Sequence, residues 1–203
     1  MITVLEIPAS STRATYACKR HFDILCSVLL IILLSPVLIG VALAVKITSK
    51  GSIIHWSNRV GQNNRIFRMP KFRSMRMDTP QIATHLLSDA SRYLTPIGSF
   101  LRKSSLDELP QLFSVAAGHL SLVGPRPALF NQTDLVALRT HYEVDSLVPG
   151  ITGWAQVNGR DELPIPIKVR FDREYLERRS FLFDLKILFL TARKVIVREG
   201  ISH

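Results

Sequence analysis

The sequence predicts an α+β, mainly helical fold: a re-entrant membrane helix hairpin broken at Ser35-Pro36, one small β-hairpin, and amphipathic interfacial helices. Three observations carry that prediction. Ile24 to Val45 is an uncharged apolar run interrupted by a proline, Ser52 to Met75 alternates around turn residues, and the last third shows apolar residues at i, i+3, i+4 spacing. The 203 residues suit one module. At 47% apolar the chain is too hydrophobic for a disordered basic tail, and its net charge of +10 points to a negatively charged partner: nucleic acid, anionic lipid or a phosphorylated small molecule. Two cysteines, Cys18 and Cys26, exclude a disulfide scaffold or a zinc ribbon and fit a reduced cytoplasmic setting.

Residues 1–18, rich in Ser, Thr and Ala, read as a loosely ordered leader, 19–50 as a membrane-associated helix and 51–203 as a cytosolic-face domain. The apolar run has 22 residues, long enough as a straight helix of ~33 Å to match a hydrocarbon core of ~30 Å. Ser35-Pro36 lies in its middle, where proline removes a helical hydrogen bond. Lys19 and Arg20 precede the run while Lys46 and Lys50 follow it, so both ends carry the charge of the same side. A helix that enters, breaks and returns fits these facts, with the Ser35 hydroxyl placed to satisfy a freed backbone group; a proline-kinked spanning helix is the competing reading. Asp23, four residues after Lys19, is placed to pair with it at headgroup level.

Beyond the run, Ile53-Ile54-His55-Trp56 and the stretches Arg65–Arg68 and Lys71–Met75 form a hairpin turning near Gly61–Asn64. Six cations and no acid between Arg59 and Arg76 create a field that would hold phosphates or lipid headgroups. Thr95-Pro96 reads as an N-cap and first helical residue for a helix to Lys103, and a second helix runs from Ser105–Asp107 to Ala117, stopped by Gly118. Ser121–Pro127 is an extended loop, Thr133–Val144 a short helix, Pro149-Gly150 and Asn158-Gly159 turns. Phe171–Arg179 and Phe183–Arg198 are helical. The latter is a basic amphipathic helix suited to a membrane surface or to packing on its own domain.

No Walker A loop, dinucleotide fingerprint, zinc-protease or nucleophile-elbow motif is present. What remains is Asp107-Glu108 at the start of a helix. Ser105 with Glu108 forms a capping-box pattern, and moving the cap to Asp107 instead places Pro110 in the tolerated first turn. Either cap is a structural role; the chemical one is a carboxylate that attacks phosphorus while cations neutralise the phosphate. Arg126, between Pro125 and Pro127, presents its guanidinium from a backbone already restricted to the extended region, either as a bidentate phosphate ligand or as an incidental charge in a rigid linker.

Taken together, these stretches resemble the bacterial sugar transferases, the small monotopic phosphoglycosyl transferases. The matching segments are Lys19-Arg20 with Asp23 before the run broken at Ser35-Pro36; Lys71-Phe72-Arg73-Ser74-Met75; Arg102 with Ser105 to Leu112; Ser121 to Pro127; and Pro149 to Arg160. The resemblance covers about residues 19–198. It implies transfer of a sugar 1-phosphate from a UDP-sugar to a polyprenyl phosphate, giving UMP and a polyprenyl diphosphate sugar, the membrane-committed step of surface glycan assembly, at the cytoplasmic face of a bacterial inner membrane. By the family pattern Asp107 is the nucleophile, with Mg²⁺ at Asp107 and the diphosphate, and Glu108 is the second acid of the dyad. Arg126, Arg102, Arg160, Lys71, Arg73 and Gln156 match substrate-binding positions, and Lys19, Arg20, Asp23, Ser35 and Pro36 membrane-anchoring ones. The resemblance implies a phospholipid membrane and no nucleic acid as partners, and it is compatible with a homodimer. Two departures stand out: His119 replaces a usual aspartate after the dyad helix, which bears on that turn's hydrogen bonding, and Arg178-Arg179 replaces a more neutral stretch. The alternative of another class is a membrane-tethered basic module that binds anionic lipid or nucleic acid.

Overall fold

Pro36 decides the path of the chain. In the computed structural model, which describes residues 9–80, 90–159 and 163–197, helices α1 (Ala9–Leu33) and α2 (Ser35–Thr48) meet at Leu34 with a bend of 63°. Pro36 has no N–H to offer the Ile32 carbonyl four residues back. The Ser35 hydroxyl donates to that same carbonyl at 2.8 Å, the service expected of it. The ladder continues on either side, with the Leu34 and Leu38 N–H groups donating to the Leu30 and Leu34 carbonyls at 2.9 Å. Among the described residues no single helix is long and apolar enough to cross a membrane; the bent pair passes that test only when taken together. α1 begins at Ala9 rather than near residue 19. The second half of the expected leader is thus helical, because helix propagates easily into an Ala- and Arg-containing segment once a long helix exists.

The hairpin forms as expected. Strands β1 (Ile54–Val60) and β2 (Ile66–Phe72) pair antiparallel, His55 opposite Lys71, around a tight turn in which Asn63 and Asn64 take positive φ (52° and 59°). Asparagine tolerates that region better than most side chains. Thr95 does not cap a helix. Its hydroxyl and its N–H both donate to the buried Ser74 carbonyl, and α3 (Gly98–Lys103) starts later, after Ile97. The expected helix from Ser105 to Ala117 is broken in two: one 3₁₀ turn, Leu106–Glu108, then α4 (Gln111–Ala117), which follows Pro110 and ends at Gly118 with φ 93°. A proline at position 110 would forfeit the bond to Leu106 inside one continuous helix, so the chain restarts after it.

Ser121–Val123 is strand β3, pairing in parallel with β4 (Gly150–Thr152) where a loop and a turn were expected. Strands of three residues show no alternation to read. Gly124 and Gly150 are required by backbone proximity: a Cβ on Gly150 would lie 2.1 Å from the Gly124 nitrogen. Helices α5 (Thr133–His141), α6 (Trp154–Val157), α7 (Ile165–Arg178) and α8 (Phe181–Val197) complete the fold. α5 stops before Val144, which opens a separate short turn, and Asn158-Gly159 closes α6 as a turn. α7 opens six residues before Phe171, since Pro166 sits in the first turn, where its missing N–H costs nothing.

The bend sends the two halves of the apolar run into different cores. Phe22, Cys26 and Ile31 of α1, with Leu34 at the break, pack with Leu112, Val115, Leu122, Tyr175 and Ile187, while Leu38, Val41 and Val45 of α2 pack with Phe72, Leu101, Leu106 and Leu109. The 3₁₀ turn therefore lies over the vertex. Outward-facing residues of the same helices, Leu25, Leu29, Ile32, Leu33, Ile39, Leu43 and Ile47, are more than half exposed, as are Leu182 and Phe189 on α8. Apolar surface on that scale marks an interaction with lipid or protein.

Three residues expected at the lip of the membrane turn out to dock α1. Lys19 pairs with Asp184 of α8 at 2.5 Å rather than with Asp23. Arg20 donates to the Val115 and Ala116 carbonyls at the C-terminus of α4, which complements that end of the helix dipole. Asp23 is buried and accepts from the Ser121 hydroxyl at 2.7 Å and the Leu122 N–H at 3.3 Å, fastening α1 to β3. The tertiary donors are closer to Asp23 than a side chain one turn back on its own helix. Asp23→Ala strands the Leu122 N–H, leaves the Ser121 hydroxyl only the Val123 carbonyl at 3.0 Å, and is expected to lower the unfolding free energy by about 1–3 kcal/mol, read from denaturant titration in detergent micelles.

Candidate active site

Ser105 breaks α3 from the dyad turn by entering the left-handed region (φ 56°, ψ 18°), a conformation that costs a non-glycine residue ~1–2 kcal/mol and persists where the surroundings impose it. No side chain caps either the 3₁₀ turn or α4, so both capping readings of Ser105, Asp107 and Glu108 are overturned. Glu108 is employed otherwise. Its Oε1 accepts from Lys71 Nζ of β2 at 2.7 Å and from Arg126 Nη2 at 2.8 Å, two cations from distant segments on one oxygen. Burial alone would push Glu108 up, but Arg126 and Lys71 outweigh it and hold this carboxyl well below the ordinary range. Lys71 is pulled down from its usual value by burial, against the attraction of Glu108.

Asp107, the next carboxylate, is treated differently. It is buried (8% exposed), and among the described residues its oxygens accept no hydrogen bond and make no ion pair. Burial, reinforced by the Glu108 charge and opposed by Lys71, Arg102 and Arg126, pushes it up to about 6. One carboxylate of the pair is thus saturated with positive donors, and its neighbour stands within the same positive field with its lone pairs available.

Arg126 is held by its backbone. The carbonyls of Pro125, Arg126, Pro127 and Ala128 accept in turn from Gly150 N–H (2.9 Å), Arg139 Nη1 (2.8 Å), Arg59 Nη1 (3.2 Å) and Val60 N–H (2.9 Å). Arg139 is itself fixed by Asp172, whose Oδ2 accepts from its Nε and Nη2 at 3.0 and 2.7 Å in a nearly dry pair. The two prolines have no N–H to satisfy, so every polar backbone group they contribute is an acceptor and is used.

A cleft of about 230 Å³ joins this cluster to the helix break. Leu30 and Leu34 of the vertex, with Leu109, Leu112, Ile151 and Val157, are its apolar lining residues; Ser105, Glu108, Arg126, Thr152, Gln156, Thr191 and Lys194 are its polar ones. Of the residues expected from sequence, Asp107, Glu108, Lys71 and Arg126 converge, Arg102 acts on Asp107 through its charge, and Gln156 lines the cleft. Arg73 does not join them. It is buried with Nη2 donating to the Ser49 carbonyl and hydroxyl at 2.9 and 2.8 Å, which ties the C-terminus of α2 to the hairpin. A cation next to a helix C-terminus meets carbonyls nearer than any phosphate. Arg160 lies outside the described residues. Thr152, Thr191 and Lys194 were not singled out from sequence; Lys194 read only as one cation on the polar side of an amphipathic helix.

The two departures from the family pattern leave the dyad untouched. The turn after α4 closes through backbone bonds from His119 and Leu120 N–H to the Ser114 carbonyl, and the His119 ring stacks on Phe67 with centroids 5.9 Å apart. Arg178 pairs with Glu174 and lies over the Phe183 ring.

No group of three or more His, Cys, Asp or Glu side chains able to hold a metal occurs among the described residues. Mg²⁺ asks less of a protein, because it is commonly held by one or two carboxylates together with substrate phosphates. Asp107, a carboxylate without a hydrogen-bond donor on it, fits that requirement.

Residues 14–198 match the family described as bacterial sugar transferase. The UDP-glucose:undecaprenyl-phosphate glucose-1-phosphate transferase of Escherichia coli (strain K12) is 42% identical over 190 residues, 90% of this chain and 41% of the relative. The undecaprenyl-phosphate galactose phosphotransferase of Salmonella typhimurium is 36% identical over 204 residues, 93% and 42% respectively. Against these two the chain spans about two fifths of the relative's length. The exopolysaccharide production protein ExoY of Sinorhizobium fredii, 36% identical over 198 residues, is covered over 87% of its length and 90% of this chain.

The uncompensated state of Asp107 has a stability consequence. Its folded-state value, about 6, lies above the ordinary 3.8, so between those pH values the folded chain keeps a proton that the unfolded chain has lost. Stability contributed by the protonated form is therefore lost as pH rises from about 4 through about 6, by on the order of 1–3 kcal/mol. Asp107→Asn, of the same shape but uncharged, is expected to unfold at higher denaturant than the parent at pH 7.5 and to match it near pH 4, whereas a cap at this position would make the substitution destabilising at pH 7.5.

Proposed function

The chain belongs to the bacterial sugar transferase family, and from that membership and the geometry of the carboxylate pair we propose that it transfers a sugar 1-phosphate from a UDP-sugar to a polyprenyl phosphate. The products are UMP and a polyprenyl diphosphate sugar, the first lipid-linked precursor of a surface glycan. The observation that carries the reading is the division of labour between neighbours: Glu108 bound by Lys71 and Arg126, Asp107 without a hydrogen bond or ion pair among the described residues and within the field of Lys71, Arg102 and Arg126.

In the first half-reaction an Asp107 oxygen attacks the β-phosphorus of the UDP-sugar. The new bond is carboxyl O–P, the bond broken is P–O to the α-phosphate, and the electron pair leaves with UMP. In the second, an oxygen of the polyprenyl phosphate attacks the same phosphorus and the O–P bond to Asp107 breaks, restoring the carboxylate. Arg126 and Arg102 bring charge to the phosphates, and the clamped backbone keeps Arg126 in place without further loss of entropy. Asp107 would be the protein's ligand to a Mg²⁺ ion, which when bound would supply further neutralisation of phosphate charge. Glu108 serves to fix Lys71 and Arg126 against the dyad turn.

The lipid substrate calls for a site at a membrane surface. The bent pair α1–α2 is read as a re-entrant hairpin with both ends on the cytoplasmic face of a bacterial inner membrane, supported by its 63° bend, its exposed apolar residues and cations before and after the run. The relatives' names carry both glucose and galactose, so the sugar is left open.

Protein incubated with UDP-sugar and Mg²⁺ alone is expected to release UMP in a burst no larger than the enzyme present and to gain the mass of a glycosyl phosphate, lost in Asp107→Asn; absence of the adduct in an active preparation overturns the nucleophile assignment. Because only ionised Asp107 attacks, the burst rate is expected to fall about tenfold per pH unit below about 6. With the native cysteines replaced by serine, cysteines introduced at Ile2 and Lys50 should react with an impermeant reagent from the same side of a vesicle; labelling from opposite sides would mean a spanning helix.

A further inference from the structure

Lys194 is half-buried on α8 at the end of the cleft, and among the described residues it has no hydrogen bond and no ion pair. Other lysines in comparable settings are matched, Lys71 by Glu108 and Lys19 by Asp184. A partly desolvated ammonium without a counter-ion is costly unless an anion arrives. In the same cleft, Gln156 is more than nine-tenths buried and among the described residues its Oε1 has no donor, while its Nε2 donates to the Ile151 carbonyl at 3.4 Å. Thr191 donates its hydroxyl proton to the Ile187 carbonyl, so in its 2.7 Å contact with Thr152 the proton is Thr152's, and the Thr152 oxygen too is left as an acceptor. This end of the cleft therefore offers one cation and two acceptors.

The occupant must bring negative charge and an O–H in one small group. A phosphate monoester does so: its second ionisation falls near pH ~6, so in a partly dry site it retains a proton to donate while staying anionic. A UDP-sugar diphosphate is esterified at both ends and a phospholipid phosphate is a diester, and neither keeps a P–OH at neutral pH. Leu30 and Leu34 at the helix break line the same cleft, apolar surface of the kind an isoprenoid chain attached to the phosphate requires.

We infer that Lys194 and Gln156 form the seat of the lipid acceptor's phosphate monoester, in the cleft that Glu108 and Arg126 also line. The inference rests on the proposed two-step transfer and adds which of its two substrates this wall receives. Lys194 reads the charge, and Gln156 reads the proton that separates a monoester from a diester.

The two half-reactions make the test specific. For Lys194→Gln, the KM for polyprenyl phosphate is expected to rise about tenfold or more, the worth of one charge-assisted hydrogen bond, with the KM for UDP-sugar and the donor-alone adduct rate near parental values. Lys194→Arg, which keeps the charge, should recover most of the acceptor KM, and Gln156→Met should raise the acceptor KM by more than it raises the KM for UDP-sugar. If Lys194→Gln leaves the acceptor KM unchanged, or slows adduct formation as much as transfer, the inference is wrong. It is equally wrong if the substitution only weakens flotation with phosphatidylglycerol vesicles, which would make Lys194 a headgroup contact. Failure of the parent protein to form any adduct would instead remove the two-step reading beneath it.

Discussion

Two cations on a single oxygen of Glu108 organise this protein. Lys71 comes from the hairpin and Arg126 from the proline-flanked segment after β3, and neither is near the dyad in sequence; their meeting on Glu108 ties three separate segments to one turn. The same meeting leaves Asp107 next to positive charge that is already committed elsewhere. A carboxylate in that position is ionised at neutral pH without being quenched by a hydrogen bond. In the proposed reaction this is the useful condition: a phosphate that enters would meet the field of the cations, and oxygens acting as the nucleophile would have no donor to shed.

The broken helix links that turn to exposed apolar surface. A straight helix could place its apolar residues against one surface only. Bent at Leu34, the two halves serve two cores, α1 against α4 and the strands, α2 against the hairpin and α3, and the dyad turn contributes Leu106 and Leu109 to one and is followed by Leu112 in the other. The vertex supplies Leu30 and Leu34 to the cleft. In the proposed reaction one substrate is water-soluble and the other is lipid, and the bend is what brings apolar surface and buried charge to the walls of one cavity.

Rigidity around Arg126 follows from a similar economy of backbone groups. Four consecutive carbonyls are each taken by a different donor, one of them from Arg139, whose own charge is held by a buried aspartate. Breaking that pair would leave a charge in the interior, so the segment has little freedom to move away from the dyad. Asp23 plays a comparable part for β3 from the opposite side.

Local chemistry was legible in the sequence wherever a residue's own backbone decided the outcome. Pro36 with Ser35 gave the break and its repair, the Gly61–Asn64 turn gave the hairpin, Gly118 ended α4, and the pairing of Asp107 with Glu108 beside Arg126 marked the site. The tertiary structure decided where long side chains spend their charge. Lys19 reaches Asp184 rather than Asp23, Arg73 turns to the end of α2, Glu108 serves two cations instead of a helix end, and Lys194 is left facing a cleft. It also decided β3 and β4, whose three-residue strands exist only because Gly124 and Gly150 let two backbones approach. Backbone conformation is set by neighbours within a few residues and can be read along the chain, whereas the partner of a charge is whichever group the fold brings within about 3 Å, and no local pattern records that.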